Sequence, residues 1–358
     1  MNHLGLATIS LAELNLPLLA SGWCGLLLLA MLVTRVMLNR ADIMDVPNHR
    51  SSHFRPQPKS GGLAIVITFV VGTITLQLYG PTGARQPEGF AVFVIAALAI
   101  AAISFYDDIT PQPFSIKLAI QILASLLAMA GGLLIEQLPL PWLGTVSLGW
   151  LAYPLTLLWF LGMTNAFNFM DGLDGLAGGE AAIACGFFAA ITLGLGSISL
   201  ALTALIILAG VLGFLIFNFP PARIFMGDVG SAFLGFVFAA LALMPNGPDA
   251  AAPPFLVVPL LLFNFIFDTT FTFFRRLTAG ENVTMPHRTH LYQLMNRTGH
   301  DHRRVSLLHY GMGILQGLGA LAMVHLAPQY HLLVFLPFLV LQTVYCFRIM
   351  TDKHLSGI

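Results

Sequence analysis

Charge is what this chain most lacks. Only 9% of its 358 residues are Asp, Glu, Lys or Arg, while 57% are hydrophobic and the mean hydropathy is +0.84. A soluble domain carries about 25% charged residues, so a water-solvated globular fold is excluded. Cysteine is scarce too. Cys24, Cys185 and Cys346 all sit in apolar runs, which excludes a disulfide or zinc framework and leaves them as small buried side chains. No Lys or Arg precedes Arg35, so the basic start of a cleavable signal is missing. There is no internal repeat of the solenoid kind.

What is present instead is length of apolar run. About 20 residues of helix cross the hydrocarbon layer of a membrane. Residues 16–38, 61–80, 90–106, 116–135, 148–167, 177–196, 198–217, 231–244, 254–274, 305–326 and 331–349 read as spans or near-spans. The expectation is an all-α polytopic membrane protein of about eleven transmembrane helices, folded as a single domain over residues 1–358.

Net charge is zero, but its distribution is lopsided. Numbering the spans in order sorts Arg35, Arg40, Arg50, Arg55, Lys59, Lys117, Arg223, Arg275, Arg276, Arg288, Arg297, Arg303, Arg304, Arg348 and Lys353 to one side, and Arg85 alone to the other. The positive-inside rule then puts the N-terminus outside and the C-terminus in the cytoplasm. The outer loops, Pro81–Gly89, Glu136–Ser147 and Met244–Pro254, are short and bland, and the chemistry collects in five inner loops.

The first inner loop reads Asp45-Val-Pro-Asn-His-Arg-Ser-Ser-His53, then Arg55, Lys59 and Gly61-Gly62. Cations on a glycine-rich approach to a helix suit a phosphate, and equally a juxtamembrane segment drawn to anionic lipid. The second begins with Asp107-Asp108 at the C-terminal end of a span. A helix C-terminus is already partly negative, so two acids there call for a divalent cation or a proton, unless they are a solvated loop end. The third carries Asn165, Asn168, Asp171 and Asp174 at every third position, followed by Gly175, Gly178 and Gly179. Hard oxygen donors of this kind suit Mg²⁺ or Mn²⁺. In the fourth, Asn218-Phe-Pro-Pro-Ala-Arg-Ile-Phe225-Met-Gly-Asp228-Val-Gly-Ser231, Asp228 stands where a helix begins and its plain reading is an N-cap. Phe225 suits either stacking on a base or packing.

Asp268 lies inside a span, which marks it as functional by default, the plain alternative being an ion pair with Arg275. The fifth loop offers His287-Arg288-Thr-His290, then Arg297, His300, His302, Arg303 and Arg304. A third zinc ligand is lacking, so imidazole and guanidinium aimed at phosphate or sugar is the preferred reading.

The order of these motifs resembles the polyprenyl-phosphate N-acetylhexosamine-1-phosphate transferases, the group of WecA-like enzymes and the phospho-MurNAc-pentapeptide translocase. The resemblance spans about residues 35–310 and rests most on Asn-x-x-Asn-x-x-Asp-Gly-x-Asp-Gly and on Asn-Phe-x-Pro-Ala-x-x-Phe-Met-Gly-Asp-x-Gly-Ser. It implies a helical bundle with a cytoplasmic active-site cleft, in a bacterial inner membrane. It also implies Mg²⁺, with Mn²⁺ as a substitute, held by Asp228 with Asp171. Catalytic positions implied are Asp107, Asp108, Asp171, Asp174, His287 and His290. Substrate contacts implied are Lys59, Asn168, Asn218, Phe225, Arg288, Arg303 and Arg304. The partners are a polyprenyl phosphate and a UDP-N-acetylhexosamine, with room for a homodimer and no nucleic acid. Direct attack and a covalent aspartyl-phosphate route both fit.

The translocase has a run of consecutive histidines where this chain has His-Arg-Thr-His. That departure argues against a muramyl-pentapeptide substrate. The string His-Arg-Thr-His-Leu-Tyr-Gln resembles the branch that starts O-antigen or related surface glycans from N-acetylglucosamine, N-acetylquinovosamine or N-acetylfucosamine. A transporter or lipid flippase is the rival of another class, but it calls for polar groups at mid-membrane rather than in same-side loops.

Overall fold

The computed structural model describes residues 15–40, 43–45, 56–80, 86, 89–245, 252–283, 285 and 287–352. Arg50, His53, Arg55, Arg85, Lys353 and most of the Pro81–Gly89 loop lie outside the described residues. The described chain is mostly helical: α1 (Leu16–Leu38), α2 (Leu63–Tyr79), α3 (Phe90–Ile109), α4 (Phe114–Ala130), α5 (Ala152–Phe169), α6 (Leu176–Gly194), α7 (Ile198–Asn218), α8 (Asp228–Leu241), α9 (Val257–Leu261), α10 (Phe263–Thr278), α11 (Leu291–Arg297), α12 (His302–Met323) and α13 (Phe335–Met350). Six helical segments are long and apolar enough to cross a membrane, and α2, α4 and α8 are shorter apolar helices. The protein is a multi-pass membrane protein.

Its centre is α8. Every residue from Val229 to Leu241 is buried, as expected of a helix that is apolar all round. Its phenylalanines reach three neighbours. Phe233 meets Phe69 of α2 with ring centroids 5.4 Å apart. Phe236 meets Phe160 of α5 at 4.9 Å and stacks with Phe93 of α3 at 6.4 Å. Phe238 meets Phe167 of α5 at 5.6 Å. Around this layer, α7 packs on α1, α2 and α6, and α12 packs on α6.

The starts of α2 and α8 touch through glycine. A Cβ on Gly62 would lie 2.3 Å from the Gly230 Cα, so any side chain would push the two helix N-termini apart. The Gly61 and Gly62 N–H groups donate to the Phe225 and Met226 carbonyls at 2.9 and 2.8 Å, and the Phe225 N–H donates to the Pro58 carbonyl at 2.9 Å. The loops that lead into α2 and α8 are thereby one unit.

Three expectations change. The fold is not purely helical: β1 (Met44–Asp45) pairs antiparallel with β2 (Gln57–Pro58), and β3 (Gln137–Leu140) pairs antiparallel with β4 (Gly144–Ser147). The second pair turns the supposedly bland outer loop into a hairpin, because Leu138, Leu140 and Val146 alternate with more polar residues and Gly144 takes the left-handed turn (φ 72°). The span expected at 254–274 is broken at Leu262 into α9 and α10. The last span opens as a 3-10 segment, Pro328–Val334, before α13.

Candidate active site

Helix ends from across the chain meet at one cluster of acids. The last turn of α3 supplies Asp107 and Asp108, α4 supplies Lys117, α5 supplies Asn168, and α8 supplies Asp228. Lys117 Nζ lies 2.9 Å from Asp107 Oδ2 and 3.5 Å from Asp228 Oδ2. The Asn168 amide donates to Asp228 Oδ1 at 3.0 Å and to Ser231 Oγ at 2.9 Å. One cation and one amide thus fix the Asp228 carboxylate.

The adjacent acids face different partners. Asp107 accepts from Lys117 and from the Gln112 N–H at 2.6 Å. Asp108, only 6% exposed, accepts from the Ser60 hydroxyl at 2.9 Å and from the N–H groups of Asp228 (3.1 Å) and Val229 (3.3 Å), with Lys59 Nζ 4.0 Å away. Lys117 and a helix N-terminus therefore supply the positive charge that Asp107-Asp108 called for. The N-cap reading of Asp228 is corrected by the same contacts. Gly227 (φ 74°) is the cap residue and makes no side-chain cap bond, and Asp108 receives the first N–H groups of α8 from another helix. A Cβ on Gly227 would lie 2.5 Å from the Asp108 carboxylate, so this arrangement needs glycine.

Asp171 stands in the loop between α5 and α6, and among the described residues no hydrogen-bond donor meets its carboxylate. Burial, followed by the charges of Asp228, Asp108 and Asp174, pushes it well above the usual carboxylate range. Asp174 is engaged instead, accepting from the Ala222 N–H at 2.9 Å and facing His302 Nδ1 at 3.1 Å. Asn218, 3% exposed, uses both ends of its amide, accepting from the Gly175 N–H at 3.0 Å and donating to the Ile224 carbonyl at 2.9 Å. It braces the loops beneath the acids. Phe225 is partly buried, and its backbone pairs with Pro58 and Gly61.

The loop holding Asp171 is clamped at both ends. The Tyr292 hydroxyl donates to the Phe169 carbonyl at 2.8 Å and the Tyr310 hydroxyl to the Gly175 carbonyl at 2.6 Å, while the Ser306 hydroxyl donates to the Asp174 carbonyl at 2.8 Å. Gly172 and Gly179 leave room for the tyrosine side chains, since a Cβ on either would lie about 2 Å from their atoms.

The His loop is set by Asp268, which does not pair with Arg275 as the simple reading had it. Its carboxylate accepts from the N–H groups of Leu291 (2.9 Å) and Tyr292 (3.1 Å), and Oδ1 lies 3.2 Å from His290 Nδ1. Arg275 donates to the Thr289 carbonyl. His290 is buried, with its ring 4.8 Å from that of His287 and 5.9 Å from that of Phe169. His287 Nδ1 accepts from the Thr289 N–H at 3.3 Å, so a neutral ring carries its proton on Nε2. Burial, then His290, Arg276 and Arg275, push the His287 pKa down to about 4. Arg303 and Arg304 are exposed at the start of α12, and Arg288 is partly buried.

Sequence reading missed Lys117, Ser60, Ser231, Tyr292 and Tyr310 as site residues. Lys117 left a signal: it is the single Lys or Arg between Arg85 and Arg223, set in an apolar helix. The tyrosines left none, since their role depends on distant backbone.

The profile of glycosyl transferase family 4 matches residues 90–246, which hold Asp107, Asp108, Lys117, Asp171 and Asp228. The chain is 33% identical, over 83% of its length and 81% of the relative's, to a probable undecaprenyl-phosphate N-acetylglucosaminyl 1-phosphate transferase of Bacillus subtilis. It is 31% identical to a decaprenyl-phosphate N-acetylglucosaminephosphotransferase of Mycobacterium leprae, over 82% of this chain and 80% of that one. A phospho-N-acetylmuramoyl-pentapeptide-transferase of Lactiplantibacillus plantarum is 35% identical over 52% of this chain and 61% of its own. Motif order and likeness along most of the chain agree, and the chain belongs to glycosyl transferase family 4.

Proposed function

We propose that the protein transfers an N-acetylhexosamine-1-phosphate from a UDP-sugar to a polyprenyl phosphate, releasing UMP. The observation that carries this reading is the cluster of Asp107, Asp108, Lys117, Asn168 and Asp228 gathered where the ends of apolar helices meet. An apolar groove lies between α5 and α10, lined by Leu155, Leu158, Gly162, Ala166, Ile266 and Thr270 among others. The names of the relatives support the same lipid and sugar classes.

In the reaction, an oxygen of the lipid phosphate bonds to the β-phosphorus of the UDP-sugar. The bond from that phosphorus to the oxygen bridging the α-phosphorus breaks, and UMP leaves. A phosphomonoester has a second pKa near 6, so the nucleophile is already mostly dianionic at neutral pH. The protein's task is then positioning and charge balance. Lys117 balances Asp107 and Asp228, Asn168 orients Asp228, and Lys59, Arg288, Arg303 and Arg304 are the cations available to phosphates. His287, neutral at pH 7, offers Nε2–H as a donor. Among the described residues no three His, Cys, Asp or Glu side chains group tightly enough to hold a metal unaided. Asp171, crowded by carboxylates and without a donor among the described residues, together with Asp228 fits Mg²⁺, which takes one or two carboxylates and completes its shell with phosphate oxygens and water. The ion would neutralise the diphosphate as UMP forms.

Eleven crossings are supported by the alternation of helix ends at the cluster: α1 to α8, α9 with α10, α12 and α13, with the N-terminus outside and the acids cytoplasmic. The product would start a lipid-linked surface glycan such as O-antigen, a reading supported by His287-Arg288-Thr-His290 in place of a histidine run. The test is UMP release by purified protein given undecaprenyl phosphate and a panel of UDP-N-acetylhexosamines and UDP-MurNAc-pentapeptide. Release with a UDP-N-acetylhexosamine is expected. Silence across the panel sinks the reading, and turnover of the pentapeptide at comparable rate sinks the sugar assignment.

A further inference from the structure

The far end of the molecule carries an anomaly. The β3–β4 hairpin joins the end of α4 to the start of α5, and the opposite ends of these two helices hold Lys117 and Asn168. Its tip is Pro141-Trp142-Leu143. Trp142 is 92% exposed and Leu143 72% exposed, and Trp142 has φ 63°. A left-handed backbone is strained for an L-residue, and a bulky side chain there is an outlier. A tryptophan presented to water also forgoes the burial of about 150–250 Å². Both costs fall on one residue, whose surface is almost entirely uncovered by protein.

The rest of the hairpin is two-sided. Leu138 pairs with Val146 on the face that includes the α5–α10 groove, while Gln137, Thr145 and Ser147 are exposed. Trp150 (76% exposed) and Tyr153 follow in the 3-10 turn and first turn of α5. Below them the exposed wall continues as Leu155 and Leu158 of α5 and Leu126 and Leu127 of α4. Glu136 is the one charged residue between Lys117 and Asp171.

We infer that the hairpin lies in the membrane interface, with Trp142 and Leu143 seated among the lipids of the leaflet opposite the acid cluster. The bilayer boundary suits tryptophan because the ring is apolar and its N–H reaches water or headgroups. The aromatic tip, its flanking Trp150 and Tyr153, and the leucine wall are one continuous lipid-facing surface, while Gln137, Thr145 and Ser147 face the water. The inference does not depend on the reaction proposed above.

Fluorescence of the full chain in phosphatidylcholine–phosphatidylglycerol nanodiscs tests it. The emission lost in Trp142→Phe isolates Trp142 from Trp23 and Trp159, whose Nε1–H groups donate to the Leu205 and Ala239 carbonyls, and from Trp150. That difference emission should lose most of its intensity when the lipids are brominated near the headgroup end of their chains, and should be shielded from aqueous iodide. Quenching by iodide with indifference to bromine overturns the inference. A nitroxide on Leu143→Cys, in a Cys24→Ser background, reads the same depth independently. Faster collision with oxygen than with a water-soluble nickel chelate supports the seat in lipid, and the reverse order refutes it.

Discussion

The Asp108 carboxylate, at the end of α3, accepts the backbone N–H groups of Asp228 and Val229 at the start of α8, 120 and 121 residues away in sequence. The second acid of the Asp-Asp pair therefore works as a helix cap supplied from another helix. It holds the N-terminus of the central helix where Asp228 must sit. Asp108→Ala should cost about 1–2 kcal/mol of stability, the usual worth of a cap, and should lower the melting temperature of the purified protein. Asp107→Ala, which removes a contact to Lys117 and to one loop N–H, should lower it less. Equal melting of Asp108→Ala and wild type would remove Asp108 from this role.

Asp228 and Asp171 lie beside each other in charge but differ in what holds them. Asp228 has Asn168 and Lys117, and caps nothing. Among the described residues Asp171 has no donor, and three carboxylates press on it. Asp228→Asn and Asp171→Asn should both leave expression and melting near wild type, with Asp171→Asn melting no lower because it removes a repelled charge. Both should cut UMP release at least about a hundredfold, roughly 2–3 kcal/mol of barrier. Measured against Mg²⁺ and Mn²⁺ concentration, an unchanged metal dependence with most activity retained would remove either residue from the metal site.

Much of this was legible before any coordinates. Apolar run lengths marked most of the helices, and the second, third and fourth motifs singled out Asp107, Asp108, Asn168 and Asp228, which the fold brings together. What sequence could not show was partner choice. Asp228 looked like a cap because it stands where α8 begins, yet the cap comes from Asp108, whose approach depends on the α3–α8 crossing and on Gly227. Asp268 looked paired with Arg275 because the two share a helix face, yet the tertiary fold brings it the start of α11. Leu262 is itself an ordinary apolar residue, and the nearby Pro259 falls in the first turn of α9, where a helix tolerates it, so neither marked the break between α9 and α10. The outer hairpin did have one, in the alternation of Gln137-Leu-Pro-Leu and Gly144-Thr-Val-Ser, but four-residue strands are easily overlooked between long helices.

His287 makes the stability depend on pH. Its pKa is pushed down to about 4 by burial and by neighbouring cations and His290, whereas the unfolded chain presents an ordinary imidazole near 6.5. Above both values the two states are neutral and the residue contributes no pH dependence. Between them the unfolded chain takes a proton that the native state refuses, so stability falls as pH drops from about 6.5 towards 4. His287→Gln should remove this share. Melting curves of the two proteins should diverge in that window, with the variant falling less steeply on acidification, and should run parallel above pH 7. Parallel curves throughout would show that His287 titrates normally in the fold.

Tyr292 and Tyr310 clamp the Asp171 loop from the C-terminal part of the chain, each donating its hydroxyl to a carbonyl at one end of the loop. Neither belongs to the 90–246 segment that carries the acids. Removing a hydroxyl leaves a carbonyl short of its donor, a loss of about 1–3 kcal/mol when the group is buried. The backbone between residues 169 and 175 then has one end loose, and Asp171, which has no side-chain anchor of its own, moves with it. Tyr292→Phe and Tyr310→Phe should therefore lower kcat for UMP release while leaving the KM for the lipid phosphate close to wild type, and should raise the Mg²⁺ concentration needed for half activity. The two substitutions act on opposite ends of one loop, so their combined loss should differ from the sum of the singles. If both variants melt lower yet keep the wild-type kcat and metal requirement, the tyrosines support the fold alone, and the position of Asp171 is set by the loop's own glycines.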